Sequence, residues 1–175
     1  VDVEQVTWFG YVGTTGLRAM DYLLADRFHI KPGEEQFYAE SVLRMPNGYA
    51  SYEAPDYTPA VERLPALSNG WVTFGCFNNP AKLSPRILDA WSDVLNRVPS
   101  AKLLLKYYGL HEAQSQNRFQ SQFAARGIEP QRILLEGGAE HPDFLDAYNR
   151  TDIALDTQPY SGGITTCEAL WMGVP

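Results

Sequence analysis

Hydrophobic and polar positions follow two regimes along this chain, and the more regular one begins at Trp71. Trp71 to Phe77 is a β-rich run. Ser84-Pro85 then supplies an N-cap followed by proline at the first helical position. The helix it opens carries Ile87, Leu88, Trp91, Val94, Leu95 and Val98 on one face, and Pro99 stops it. Ala101 to Tyr108 reads as the next strand. His111 to Arg126 is a polar helix turning Phe119 and Phe123 inward, closed by Gly127. Ile133 to Leu135 is a third strand, and Pro142 to Arg150 a short helix with Phe144, Leu145 and Tyr148. Ile153 to Asp156 is a fourth strand, and Thr165 to Met172 a fourth helix.

The earlier part is less periodic. Gln5 to Gly10 reads as a strand running into Tyr11-Val-Gly-Thr-Thr-Gly16, a turn that leaves backbone amides available. A short helix is expected through Met20 to Leu24. A second helical pattern runs from Gly33 to Met45, with Phe37, Val42 and Leu43 on it, until Pro46 ends it. Residues 47–70 hold Pro55, Pro59 and Pro65 with little periodicity, and read as a linker between two lobes. No internal repeat or low-complexity tract interrupts the chain.

Strands alternating with single helices specify an α/β fold, a parallel sheet with right-handed crossovers. Such sheets bind ligands at the carboxyl ends of their strands. The loops Phe77–Ser84, Lys106–Gln114, Glu136–Pro142 and Thr157–Thr166 are therefore the places to look for chemistry. Composition narrows the ligand. A net charge of −7 without a basic run argues against nucleic acid. No apolar run nears the roughly 20 residues that span a bilayer, and the first residues do not read as a signal peptide. Cys76 and Cys167 lie far apart, as reduced and mostly buried thiols of a cytoplasmic protein would. Both ends read as cuts through a longer protein.

The stretch Asp156 to Pro175 holds the most specific chemistry. A strand, a turn with Gly162 and Gly163, and a helix start flanked by Thr165 and Thr166 together make an anion cradle. Glu168, about one turn inside, is placed to reach a ribose hydroxyl; an ordinary capped helix is the equal alternative. Lys82, at the end of the first strand of this half, is placed to neutralise charge on a departing phosphate, although most lysines are simply on the surface. His141 and Phe144 follow the third strand, where a ring can stack on a base or belong to the core. Glu136-Gly137-Gly138-Ala139 offers backbone groups to a base edge. The GxGxxG and Walker patterns are absent, and His29, His111 and His141 are scattered, with no DxD pair. The residues point to a diphosphate-linked ligand bound without metal or other cofactor.

Gln5 to Tyr22, the Phe77–Lys82 loop and Asp156 to Pro175, in this order, resemble the catalytic region of the O-linked N-acetylglucosamine transferase family. The resemblance is closest to its bacterial SPINDLY-like members, which usually follow tetratricopeptide repeats. It covers nearly the whole chain and is weakest from Lys31 to Gly70. It implies a GT-B glycosyltransferase with two facing Rossmann-like lobes, in which residues 1–46 end the acceptor lobe, 47–70 link the lobes and 71–175 begin the donor lobe. The implied reaction is inverting, metal-independent transfer from UDP-N-acetylglucosamine to Ser or Thr hydroxyls of proteins. Lys82 matches the lysine on the UDP phosphates and Gly10 a backbone contact to the donor sugar. Gly163, Ile164, Thr165 and Thr166 match the pyrophosphate turn, Glu168 the ribose acid and Ala139 a backbone contact to uracil.

Several positions depart from the family pattern. His141 stands where some members have lysine and Phe144 where they have a stacking histidine. Val12 replaces a frequent proline, Gly163-Ile164 replaces His or Thr, and Asn79 replaces a longer amide. The family's candidate general bases lie upstream of Val1, so Asp21 and His29 are given no such role. Two alternatives stand beside the transferase expectation: another nucleotide sugar or acceptor on the same fold, and a degenerate lobe that only binds a partner.

Overall fold

The computed structural model describes residues 3–175, which divide after Glu53 into two compact units. The first holds a parallel three-stranded sheet of β1 (Val6–Thr7), β2 (Tyr22–Ala25) and β3 (Ser41–Arg44), in that order. Both helices expected here are overturned. Met20 to Leu24 gives way to β2, where Leu23 and Ala25 are buried and alternate with half-buried neighbours. The pattern from Gly33 to Met45 resolves into a 3₁₀ turn, Glu35–Phe37, and then β3. Phe37 lies exposed, and Val42 packs against the small core of Leu23, Ala25 and Ile30. Period two, enforced by backbone pairing of β2 with both neighbours, prevails over a helical spacing that rested on few apolar positions.

The second unit, Ala54–Pro175, carries the alternating pattern. A one-turn helix, α1 (Ala66–Asn69), is closed by Gly70 in the left-handed region. The order is then β4 (Thr73–Cys76), α2 (Pro85–Arg97), β5 (Lys102–Lys106), α3 (Ala113–Ala124), β6 (Ile133–Glu136), α4 (His141–Asp146), β7 (Ile153–Ala154) and α5 (Ile164–Trp171). A 3₁₀ turn, Ala147–Arg150, continues α4. The expected Ser84 cap is present, its hydroxyl accepting from the Ile87 amide, with Pro85 opening α2.

All four strands are parallel, in the order β6-β5-β4-β7. Alternate residues divide the core between the two faces. Leu103 and Leu105 pack with Phe74, Leu88, Trp91, Phe119 and Phe123, whereas Leu104 packs with Phe77, Leu145, Tyr148 and Ala169. Gly75 lets the chain before β7 come close: a Cβ there would lie 2.6 Å from Thr151 Cγ2. The Asp152 carboxylate accepts from the Thr73 amide at 2.7 Å and the Ala66 amide at 2.8 Å, fastening the segment before β4 to the start of β7. Strand order reverses between β4 and β7, since β4 leads outward to β5 and β6 before the chain returns to its other side. That reversal opens a crevice at the carboxyl ends of β4 and β7.

Candidate functional site

The loops leaving β4 and β7 meet at this crevice. Asp156 is the anchor: its Oδ1 accepts from the Thr157 amide at 2.7 Å, the Gly162 amide at 2.7 Å and Asn78 Nδ2 at 3.2 Å. One carboxylate thereby folds the chain from Thr157 to Gly162 into a tight bend and ties it to the β4 loop. Gly162 is required there, because a Cβ would sit 2.5 Å from Thr166 Oγ1 and 3.2 Å from Asn78 Nδ2. Gly163 faces open space, with nothing within 4 Å of a Cβ.

Lys82 reaches this bend from the other side of the crevice. A 3₁₀ turn, Pro80–Lys82, lifts it there, and the Asn79 side chain caps that turn by accepting from the Ala81 amide at 2.9 Å. Lys82 Nζ donates to Asn78 Oδ1 at 3.0 Å and to the Ser161 carbonyl at 2.9 Å, and lies 4.5 Å from the centre of the Tyr160 ring. The lysine is therefore aimed at the glycine bend.

The start of α5 completes this end of the crevice. Gly163 provides no capping side chain, and the Thr166 and Cys167 amides bond to its carbonyl. Among the described residues, the Ile164 and Thr165 amides have no acceptor. The bend, the cation and the helix start thus present unspent donors to one region, which suits an anion. Thr166 Oγ1 lies against Gly162, and the Thr165 carbonyl accepts from the Tyr148 hydroxyl at 3.0 Å.

The groups expected at a base and ribose are arranged differently. Glu168 is 3% exposed, and its Oε1 meets His141 Nε2 at 2.8 Å. Its other oxygen lies 3.5 Å from the Tyr148 hydroxyl. A carboxylate only accepts, so His141 Nε2 carries the hydrogen, and in the neutral ring Nδ1 accepts from the Tyr57 hydroxyl at 2.8 Å. His141 and Glu168 are thereby brought together, each engaged by the other. Phe144 is half-buried, edge-on to Phe77 and Tyr148, and packs against the core cluster that holds them. Ala139 is half-buried in the loop after β6. Tyr108 and His111 press on that loop; a Cβ on Gly137 would sit 2.5 Å from His111 Nδ1, and one on Gly138 would collide with the Tyr108 ring. Glu136 fixes the loop's origin. It takes a fork from Arg150 at 2.6 and 2.7 Å and a bond from the buried Lys106 at 3.2 Å, and these cations hold its carboxyl down at about 2.

Gly10 belongs to the first unit, exposed after β1. In the same unit the buried Glu40 holds the Thr14-Thr15 turn, accepting from the Thr14 hydroxyl and the Thr15 amide, both at 2.7 Å. His29 Nδ1 lies 2.8 Å from Asp26, and Asp21 accepts from the Gln5 amide at 2.8 Å. Sequence reasoning missed Asn78, Asp156, Tyr160 and Tyr57. Their signal was weak: three are short or aromatic residues in loops, and Asp156 reads as the last residue of a strand. Among the described residues no group of three or more His, Cys, Asp and Glu side chains is placed to hold a metal, and no helix is long and apolar enough to cross a membrane.

A parallel sheet of order β6-β5-β4-β7, with a cation and a glycine-bend helix start at its switch point, defines a Rossmann-like lobe of the GT-B type. The model of glycosyl transferase family 41 matches residues 58–175, and the chain belongs to that family. Over 172 residues it is 43% identical to the probable UDP-N-acetylglucosamine–peptide N-acetylglucosaminyltransferase SPINDLY of Solanum lycopersicum, covering 98% of this chain and 18% of that protein. The corresponding protein of Arabidopsis thaliana is 41% identical over 172 residues, 98% of this chain and 19% of that one. The chain thus spans about a fifth of the length of the curated relatives it matches. Its fold superposes on a mutant form of the Thermobaculum terrenum O-GlcNAc transferase with a TM-score of 0.90 and 39% identity, over 98% of this chain and 32% of that one. The pneumococcal O-GlcNAc transferase GtfA, solved with UDP and GlcNAc, shares the fold alone, at a TM-score of 0.51 and 14% identity over 90% of this chain and 29% of that one.

Proposed function

We propose that this chain carries much of the donor site of a protein glycosyltransferase: the second unit holds the diphosphate of a nucleotide sugar while the sugar passes to a Ser or Thr hydroxyl. In this reading the first unit is the end of the acceptor lobe and the second the start of the donor lobe. UDP-N-acetylglucosamine is the donor favoured by the names of the relatives. The observation that carries the proposal is the aim of Lys82, whose Nζ lies 2.9 Å from the Ser161 carbonyl in the same bend that leaves the α5 amides unspent.

In the reaction the bond between the anomeric carbon and the diphosphate oxygen breaks, and its electron pair leaves on that oxygen. Lys82 and the Ile164 and Thr165 amides are placed to take up the growing charge, an interaction stronger in the transition state than before it. They supply within the chain the compensation that a divalent ion supplies elsewhere, so turnover is expected to survive a chelator. Attack by the acceptor hydroxyl from the face opposite the diphosphate inverts the anomeric centre. No residue of this chain is assigned as the base that takes the hydroxyl proton.

Calorimetry with UDP on the complete protein tests the proposal. Lys82→Ala is expected to weaken binding by roughly tenfold, the order of one charge-assisted bond to phosphate. Unchanged affinity refutes it. A second reading is favoured by the Tyr57–His141–Glu168 chain, which departs from the family pattern at the base end. Under it the grip on diphosphate is the same and the base or sugar differs. A panel of UDP, GDP, ADP and dTDP sugars separates the two, since turnover of a purine donor alone overturns the uridine assignment. Binding without transfer from any donor marks a lobe that only binds.

A further inference from the structure

Asn78 sits between the two elements that the proposed function needs. It is 8% exposed, at the carboxyl end of β4. Its Oδ1 accepts from Lys82 Nζ at 3.0 Å, and its Nδ2 donates to Asp156 Oδ1 at 3.2 Å. The same Asp156 oxygen accepts from the Gly162 amide at 2.7 Å. A single neutral amide therefore links the cation to the carboxylate that shapes the bend. The link has a direction: the carbonyl end suits the ammonium and the amide end suits the carboxylate, so the side chain cannot flip without placing like poles together.

We propose that Asn78 is a positioning residue that couples Lys82 to the phosphate-gripping bend. The proposal rests on the diphosphate reading of this crevice. An ammonium has three protons, and Asn78 and the Ser161 carbonyl take two of them. The third has only the Tyr160 ring, 4.5 Å from Nζ, beside it, so a phosphate oxygen can take it without the lysine breaking either bond. Asn78 also keeps Lys82 from pairing directly with Asp156. That pair would neutralise the cation. A neutral spacer keeps both charges in place and both in use. Preorganisation of this kind lowers the cost of binding a charge that develops during reaction.

A double-mutant cycle on the complete protein tests the coupling, with UDP as the probe, calorimetric affinity as the readout and melting temperature recorded alongside. If Asn78 acts through Lys82, Asn78→Ala weakens UDP binding about fivefold to tenfold in the parent protein, and by less than about twofold when Lys82→Ala is already present. A structural role would lower the melting temperature and cost the same factor in both backgrounds, and that additive result overturns the proposal. So does an unchanged affinity in the Asn78→Ala protein. If that variant fails to fold, the cycle is run with Asn78→Ser, whose hydroxyl is too short to span both partners. Failure of the underlying function is distinguishable, because then Lys82→Ala alone leaves UDP affinity unchanged.

Discussion

The two ends of the crevice handle their polar groups in opposite ways. Where β4 and β7 meet, side chains are spent on holding one another and the bend: Asp156 on the Gly162 amide, Asn78 on Asp156, Lys82 on Asn78. What remains unspent is backbone, the Ile164 and Thr165 amides, beside a lysine with a proton to spare. At α4 and α5 the arrangement is reversed. Glu168 and His141 are bonded to each other at 2.8 Å, and Tyr57 closes the remaining ring nitrogen. The difference teaches that the bend keeps donors open to an anion, as the proposed function requires. The other end must exchange a partner if Glu168 is to meet a ribose. Under the proposed function, affinity is set where the bend is and selectivity where the exchange occurs.

The largest effect expected is on turnover by Lys82→Ala. Removing one preorganised donor from a developing oxyanion typically costs about 10²–10³ in rate, and steady-state kinetics should show a loss of that size with the melting temperature nearly unchanged. A loss smaller than about tenfold would place the leaving charge elsewhere. Next comes His141→Ala, which strips a buried carboxylate of its short bond. Thermal or denaturant unfolding of the ligand-free protein should show about 2–3 kcal/mol of lost stability, the cost of a buried charge left underpaired. UDP affinity should fall less than in Lys82→Ala. If it falls more, the two ends are not independent and the contrast fails.

The same contrast marks what the sequence made legible. Helix α2 could be read because it buries one wide apolar face behind the Ser84-Pro85 cap, α3 because Phe119 and Phe123 recur at helical spacing before Gly127, and β4 to β6 because each is a short, mostly apolar run before or after one of those helices. Lys82 and the 162–166 bend could be placed on one rim because parallel topology puts successive loops there. Asn78 could not be singled out. Its importance comes from lying between two loops 78 residues apart in sequence, Asn78 and Asp156, and no local pattern encodes that meeting. The first unit was misread for a related reason. Its strands of two to four residues carry too few apolar positions to fix a period, and pairing between distant segments decides them.

Gly162→Ala is expected to act next in size and only at the bend. The added Cβ meets Thr166 Oγ1 at 2.5 Å, so the bend must shift at a cost of about 1–2 kcal/mol. Gly163→Ala, its neighbour in open space, should be nearly silent in the same unfolding titration. Equal effects would mean that the bend is not held as described.

The smallest effect concerns the other end and is set by pH. Arg150 and Lys106 hold the Glu136 carboxyl at about 2, well below its ordinary value of 4.5. A carboxyl depressed in the folded state contributes its stability above the unfolded value and loses it as pH falls from about 4.5 toward 2. Because Arg150 is half exposed, the contribution is modest, about 1 kcal/mol. Glu136→Gln should therefore unfold more easily than the parent at neutral pH, with the two stability curves converging as pH drops through that window. The Lys82-dependent part of UDP affinity should be unaffected by the substitution, since Glu136 anchors the loop after β6 and none of the bonds that aim the lysine. A gap between the curves that persists unchanged down to about pH 2 would show that Glu136 contributes by its shape alone, without its charge.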